Sequence, residues 1–390
     1  MDYSIFSGFT LIFGPPGSGK TSLALHVASR LGKSILYIGM YEHRERIKAK
    51  LGYLGLDEDA FHIYDFINIT EHAAVLEMIG DIYVREAPDV VVLDGVNYFP
   101  EDRQTASAIY RMFETPVVAV GEEPIGGKPL AYMADVLIQI EQVFARGSRY
   151  RVLRFLKSRT GQPPGSEFYL AIVRGGPVVV EPWDEGKVSA KIAAALPMRR
   201  VVFTEEAVKA LAAARRDYSP GLLEGSRVAD FVGMGLEDMA LAAALICDYA
   251  EAAKTALVYM YPAVERFLKC DVERRLVPVD SLADERGLEA LRDAVGDSKV
   301  AVLYGLEHVL RTLGAKRLRF VLDFLSSWRP ELALLAFFSG VEPSPRLTAM
   351  FNTVWRIEGG KAEVVKSMLG WPVRSFRVER KEGVYYFRPE

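Results

Sequence analysis

"SGFTLIFGPPGSGKTSLALHVASRLGKSILYIGMY", residues 7–41, decides the fold. Phe9 to Phe13 is a short apolar run that reads as a strand, Gly14 to Thr21 fits G-x-x-x-x-G-K-[ST], and Ser22 to Leu31 has helical apolar spacing ended by Gly32. In a strand, loop, helix sequence of this kind, glycines let successive backbone N–H groups turn inward around phosphate oxygens, and the helix N-terminus adds partial positive charge. The candidate cradle is Gly14, Pro15, Pro16, Gly17, Ser18, Gly19, Lys20, Thr21 and Ser22. Lys20 would reach the β- and γ-phosphates and Thr21 would hold Mg2+. Average composition would produce the four fixed positions somewhere in such a chain about 1% of the time. ATP and Mg2+ are the expected ligands.

A metal beside a phosphate needs an acid at the end of a neighbouring buried strand. "APDVVVLDGVNYF", residues 87–99, supplies one: Val90 to Leu93 is apolar on both faces, as a central parallel strand should be, and Asp94 sits at its carboxyl end. Hydrolysis also needs a group to orient or deprotonate water. The strand in "KSILYIGMYEHRER" is expected to end in Glu42, the candidate base; Asp57, Glu58 and Asp59 read as an ordinary exposed turn. The competing reading makes Glu42 a helix-capping carboxylate at the start of "EHRERIKAK", whose remaining charges look like a solvated face.

A chain of 390 residues that is 50% hydrophobic can bury a large core and should form two or three domains. Its apolar runs stop well short of the roughly 18 to 20 residues needed to cross a membrane, and its start lacks the basic segment and cleavage site of a signal peptide. A cytoplasmic protein with no membrane partner is expected. Cys247 and Cys270 have neither metal-ligand spacing nor a dense secreted pattern, so they read as buried free thiols, and the five histidines form no zinc motif. A net charge of −3 argues against a dominant phosphate-binding surface, leaving nucleic acid as a possible but unfavoured partner. Scarce Asn and Gln beside abundant Arg, Lys and Glu fit a thermophilic, archaeal-type chain.

On the segments "GPPGSGKTSLALHVA", "ILYIGMYE", "DVVVLDG", "PVVAVGEE" and "ADVLIQIEQVFARGSRYRVLRFLKSRTG", the chain resembles the RecA superfamily, and within it the KaiC and RadA/Sms-type ATPases. The resemblance covers residues 1 to about 182. It implies that Lys157 and Arg159 reach the γ-phosphate held by the next subunit of a ring, and that Glu122 and Glu123 sit where the family keeps a polar residue that senses that phosphate. The residues agree independently: "RYRVLRFLKSR" alternates basic and apolar positions as a half-exposed strand does, and hydrolysis needs positive charge on the transition state. A solvent-facing basic edge strand is the bland alternative. Where the family often has two adjacent acids this chain has Tyr41-Glu42, so the base would be slow or differently placed.

Beyond "GGPVVVEPWDEGKVSAKIAAALP" a connector is expected, with Thr204 capping a helix in "FTEEAVKALAAARR". The remainder repeats the first part in order. "VVVLDGVNYF" meets "VAVLYGLEHV", "ILYIGMYEHRERI" meets "ALVYMYPAVERFL", "VGEEPIGGKPLAYM" meets "FSGVEPSPRLTAM", and "MADVLIQIE" meets "MFNTVWRIE". "LKSRTGQPP" meets "VKSMLGWPV", pairing Lys157, Ser158, Gly161 and Pro163 with Lys366, Ser367, Gly370 and Pro372. The second copy has no nucleotide chemistry: Gly233-x-Gly235 is followed by Glu237 and Asp238, Tyr304 replaces the metal acid, Pro262 follows Tyr261 near the position of Glu42, and Met368 replaces Arg159. An unrelated α/β domain is the alternative.

The expected architecture is α/β, two tandem RecA-like domains, each a mostly parallel twisted sheet flanked by helices: 1–182 a P-loop ATPase, 183–219 a linker with a connecting helix, and 220–390 a degenerate pseudo-ATPase. The expected function is a Mg-dependent, ATP-hydrolysing regulatory or remodelling ring, self-associating as a hexamer or filament and signalling to a protein partner through its C-terminal domain. Clock-type autophosphorylation does not carry over, because the copy that would perform it has no nucleotide-binding residues. A single-stranded-DNA-binding repair accessory and a nucleotide-gated scaffold with little turnover are the rivals.

Overall fold

The computed structural model describes residues 2–67, 71–122, 128–163, 165–182, 200–212, 227–233, 235–367 and 374–390. Two compact units divide the chain, residues 1–145 with 149–181 and residues 146–148 with 182–390.

The first unit begins β1 (Phe9–Gly14), α1 (Lys20–Leu31), β2 (Ile35–Gly39), α2 (Arg44–Leu54), β3 (Phe61–Asp65), α3 (His72–Glu86) and β4 (Val90–Asp94). It continues α4 (Arg103–Met112), β5 (Val117–Glu122), α5 (Pro129–Met133), β6 (Val136–Ala145), β7 (Ser148–Ser158), β8 (Glu167–Val173) and β9 (Gly176–Val180). These strands form one sheet in the order β3-β2-β4-β5-β1-β6-β7-β8-β9. The pairs from β3 through β6 are parallel, and β7, β8 and β9 are joined antiparallel.

Continuous apolar runs become central strands because both faces of the sheet are covered. β1 and β2 are buried throughout, and β4 is buried as far as Leu93. Successive residues then serve opposite layers: Ile12 belongs to the buried cluster that includes Leu23 and Val27 of α1 and Leu51 of α2, whereas Leu11 belongs to the one that includes Val75 and Ile79 of α3 and Ile109 of α4. Each such side chain contributes about 1.5 to 3 kcal/mol by burial. This fixes the register of β1, and with it the height of the loop at its carboxyl end.

The second unit contains β10 (Val201–Phe203), α6 (Glu205–Ala212), β11 (Arg227–Val232), α7 (Leu236–Ala252), β12 (Thr255–Tyr259), β13 (Glu273–Leu276), α8 (Glu285–Val295) and β14 (Val300–Tyr304). After these come α9 (Leu306–Thr312), α10 (Ala315–Trp328), β15 (Ala333–Ser339), α11 (Pro345–Thr348), β16 (Thr353–Glu358), β17 (Lys361–Lys366), β18 (Ser375–Lys381) and β19 (Val384–Pro389). Its sheet runs β13-β12-β14-β15-β11-β16-β17-β18-β19-β10. That is the path of the first sheet, strand for strand, with β10 added at one edge. α6 starts directly after Thr204, where the sequence places a cap.

Local contacts repeat along with the order. Met40 N–H donates to Asp94 O at 3.0 Å, and Met260 N–H to Tyr304 O at 2.9 Å. Phe9 N–H donates to Asp135 Oδ2 at 2.9 Å, and Arg227 N–H to Asn352 Oδ1 at 3.2 Å. Lys157 Nζ donates to Ala131 O at 3.5 Å, and Lys366 Nζ to Thr348 O at 3.3 Å. Gly95 and Gly305 both have positive φ, 106° and 88°, and a Cβ on either would lie 2.8 Å from a ring, Tyr41 or Tyr261.

Two expectations need correction. Cys247 and Cys270 are not free thiols: they form a disulfide between α7 and the connection from β12 to β13, with Cα atoms 5.5 Å apart. Their 23-residue separation hides this, because proximity is created by a chain that leaves the helix, forms β12 and folds back over it. The strand before Glu42 ends earlier than expected, at Gly39, the last residue paired with both β3 and β4. Among the described residues no helix is long and apolar enough to cross a membrane. Most of the expected 183–219 linker, residues 183–199 and 213–219, together with 220–226, Glu123, Met368, Gly370 and Pro372, lies outside the described residues.

Candidate functional site

At the carboxyl edge of the first sheet lies a cleft of about 390 Å³, lined by Gly17, Lys20, Thr21, Glu42 and Asp94 among others. Neighbouring strands of an open α/β sheet diverge into such a crevice where their connections leave on opposite faces. The loop from β1 to α1 forms its floor. A Cβ on Gly14 would lie 2.1 Å from the Ile140 carbonyl oxygen, so only glycine lets the loop leave β1 against β6. Lys20 is nearly buried, and its ammonium donates to the carbonyl oxygens of Gly14 at 2.8 Å and Pro15 at 2.9 Å. These two acceptors hold the cation folded back over the loop, where it can exchange carbonyl oxygens for phosphate oxygens.

Asp94, at the end of β4, accepts from Thr21 Oγ1 at 2.9 Å. A hydroxyl and a carboxylate side by side are a hard, all-oxygen donor pair that fits Mg2+, an ion that keeps several waters and takes the rest of its shell from phosphates. Among the described residues no group of three or more His, Cys, Asp or Glu could hold a metal. Burial pushes the Asp94 carboxyl up, opposed by the hydrogen bonds from Tyr37 and Thr21 and by the charge of Lys50.

Glu42 lies three residues beyond β2 and lines the cleft. It does not cap α2: His43 occupies that position, and Arg44 N–H donates instead to Asp65 Oδ2 at 3.1 Å. Its carboxylate is in contact with the Lys50 ammonium. Lys50, which the sequence assigns to a solvated face, is therefore a wall of the cleft. Glu122 lines the cleft as well, at the end of β5, with its N–H donating to Asn97 Oδ1 at 2.5 Å.

Lys157 and Arg159 are elsewhere. Lys157 Nζ donates to Tyr132 O at 2.7 Å, and Arg159 Nη1 to Met133 O at 3.5 Å, so both cations sit on the carbonyl end of α5 and neither lines the cleft of its own chain. Burial, then the neighbouring Arg159 charge, pushes the Lys157 ammonium down.

Sequence reading missed three cleft residues. Arg151, on β7, is 7% exposed, and its Nε would lie 3.6 Å from a Cβ on Gly19. An arginine inside the apolar run "YRVL" was the available signal, since arginine is rarely buried without a partner. Tyr37 reads as one more apolar strand residue, yet its hydroxyl donates to Asp94 Oδ2 at 2.7 Å. Lys50 is the third.

The second unit differs at the loop, at the helix start and at the end of the acid-bearing strand. Four residues separate β1 from the helix-capping Gly19; only two, 233 and 234, separate β11 from Gly235, the N-cap of α7. Asp238, 8% exposed, turns back to accept from the N–H groups of Gly359 and Gly235, placing a carboxylate at the helix N-terminus. Tyr304 takes the position of Asp94, fully buried against Tyr261 and Phe337.

Residues 10–119 match the family model described as "ATPase family associated with various cellular activities (AAA)". No curated protein matches the chain. The family match runs from the second residue of β1 to the middle of β5, including the phosphate loop and Asp94, and supports nucleotide binding and ATP hydrolysis in general terms. The first unit thus carries a P-loop ATPase domain.

Proposed function

We propose that the chain is a Mg2+-dependent ATPase of the RecA/KaiC-like type, whose first unit hydrolyses ATP and whose second unit is a degenerate copy that passes nucleotide state to a protein partner. The observation that carries this reading is the cleft in which Lys20, the Thr21–Asp94 pair and Glu42 come together. Lys20 exchanges the carbonyl oxygens of Gly14 and Pro15 for β- and γ-phosphate oxygens. Thr21 and Asp94 would hold Mg2+, which would offset the phosphate charge. Glu42 orients the attacking water and takes its proton as the new O–P bond forms and the bond from the β-phosphate oxygen to the γ-phosphorus breaks, leaving ADP and phosphate. Arg151 adds a fixed positive charge from within the same copy.

Lys157 and Arg159 act on a neighbouring copy, because in their own chain both are held on the carbonyls of Tyr132 and Met133, away from the cleft. The assembly that follows is a closed ring, a hexamer, or a filament. The contact of Lys50 with Glu42 favours a second reading, a scaffold that binds ATP and turns it over slowly, since a base held by a cation must be released to act. Turnover in mixtures of Lys157→Ala and Lys20→Ala chains tests the proposal. Partial restoration of activity is expected, and no restoration at any ratio contradicts a cation acting between copies.

A further inference from the structure

We infer that the Tyr37 hydroxyl is the positioning group that fixes the metal-binding carboxylate of Asp94. The inference rests on the reading of Asp94 as that carboxylate. β2 and β4 are parallel neighbours in which Tyr37 pairs with Val92 and Gly39 with Asp94. Tyr37 therefore lies two residues before the position opposite Asp94, on the same face of the sheet. Tyr37 is fully buried beneath the cleft it helps to line, and its hydroxyl donates to Asp94 Oδ2 at 2.7 Å. Thr21 Oγ1 donates to that same oxygen at 2.9 Å. With both donors on Oδ2, Oδ1 is the oxygen that would be left for the metal.

Gly39 makes the reach possible. A Cβ there would stand 3.0 Å from Tyr37 Cε1 and 3.5 Å from the hydroxyl oxygen, in the path the ring takes across the strand end. The second unit supplies an internal comparison. At the equivalent register, Leu257 pairs with Val302 and Tyr259 with Tyr304, so the tyrosine, the glycine and the carboxylate are all absent from one copy and all present in the other. A tyrosine kept only to fill the core would have no reason to vanish together with the acid. Partners that orient a metal ligand without touching the metal typically change metal affinity about 10- to 100-fold when removed.

The test is calorimetric binding of ATP to the full chain in excess Mg2+ and in excess EDTA. Wild type is expected to bind more tightly with Mg2+. Tyr37→Phe, which keeps the ring, is expected to lose about tenfold of that Mg2+-dependent gain, while its affinity in EDTA and its thermal midpoint without nucleotide stay unchanged. A variant that keeps the whole gain overturns the inference. So does one that loses affinity equally in both conditions, or that fails to fold, because the hydroxyl would then serve the fold. If wild type itself shows no gain from Mg2+, the reading of Asp94 fails, a result distinct from a wild-type gain that Tyr37→Phe leaves intact.

Discussion

Single residues in this chain carry information that periodicity cannot. Asp230, in the middle of β11, is buried between its register partners Phe337 and Trp355, where the first unit has Ile12. Burial alone pushes its carboxyl up from 3.8 to about 7. The folded state therefore keeps a proton that the unfolded chain releases near pH 4, so this group's contribution to stability is fully present below about pH 4 and is lost as pH rises through 7. The loss amounts to about 4 kcal/mol at most, at 1.36 kcal/mol per pH unit. Denaturant unfolding at pH 5 and pH 8 checks this. Wild type should lose stability toward pH 8 and Asp230→Asn should lose that dependence; equal slopes in both contradict it. Tyr37 and Arg151 teach the same lesson at the cleft, since a polar atom at the end of an otherwise apolar side chain leaves no mark in a hydrophobic pattern.

Among elements, the most legible were those whose two faces are both covered. β1, β2 and β4 read as continuous apolar runs because helices pack on either side, and the phosphate loop read from glycine spacing that backbone geometry demands. Where β2 stops was not legible, because Met40 and Tyr41 remain apolar after the ladder has ended. The β12–β13 connection was less legible still. It includes the disulfide, whose 23-residue separation in sequence turns into a contact only through the packing of α7. Closing a loop of that length stabilises by about 3 kcal/mol in the chain-entropy account. Cys270→Ser, read by thermal unfolding with and without a dithiol reductant, should lower the midpoint and abolish the effect of reductant. An unchanged midpoint would mean that the bridge does not hold the connection down.

The whole molecule is two sheets with one strand order. The short sequence echoes between the halves, such as "VVVLDG" and "VAVLYG", fall on equivalent strands, β4 and β14. Weak as each echo is, their order was the readable signal, because strand order places a residue and a sheet core tolerates exchange among apolar side chains. The contrast at the carboxyl edges is chemical: one loop carries Lys20 and Thr21 at the start of its helix, whereas the other is two residues shorter and carries the Asp238 carboxylate at its helix N-terminus. A second carboxylate at Tyr304, with no phosphate loop to bring a metal, would cost desolvation and hold nothing. The central claim is that nucleotide belongs to the first unit alone. Equilibrium binding of ATP in excess Mg2+, counted per chain, tests it most directly. One site per chain that is lost in Lys20→Ala is the expected result; two sites per chain, or a site that survives Lys20→Ala, would contradict it.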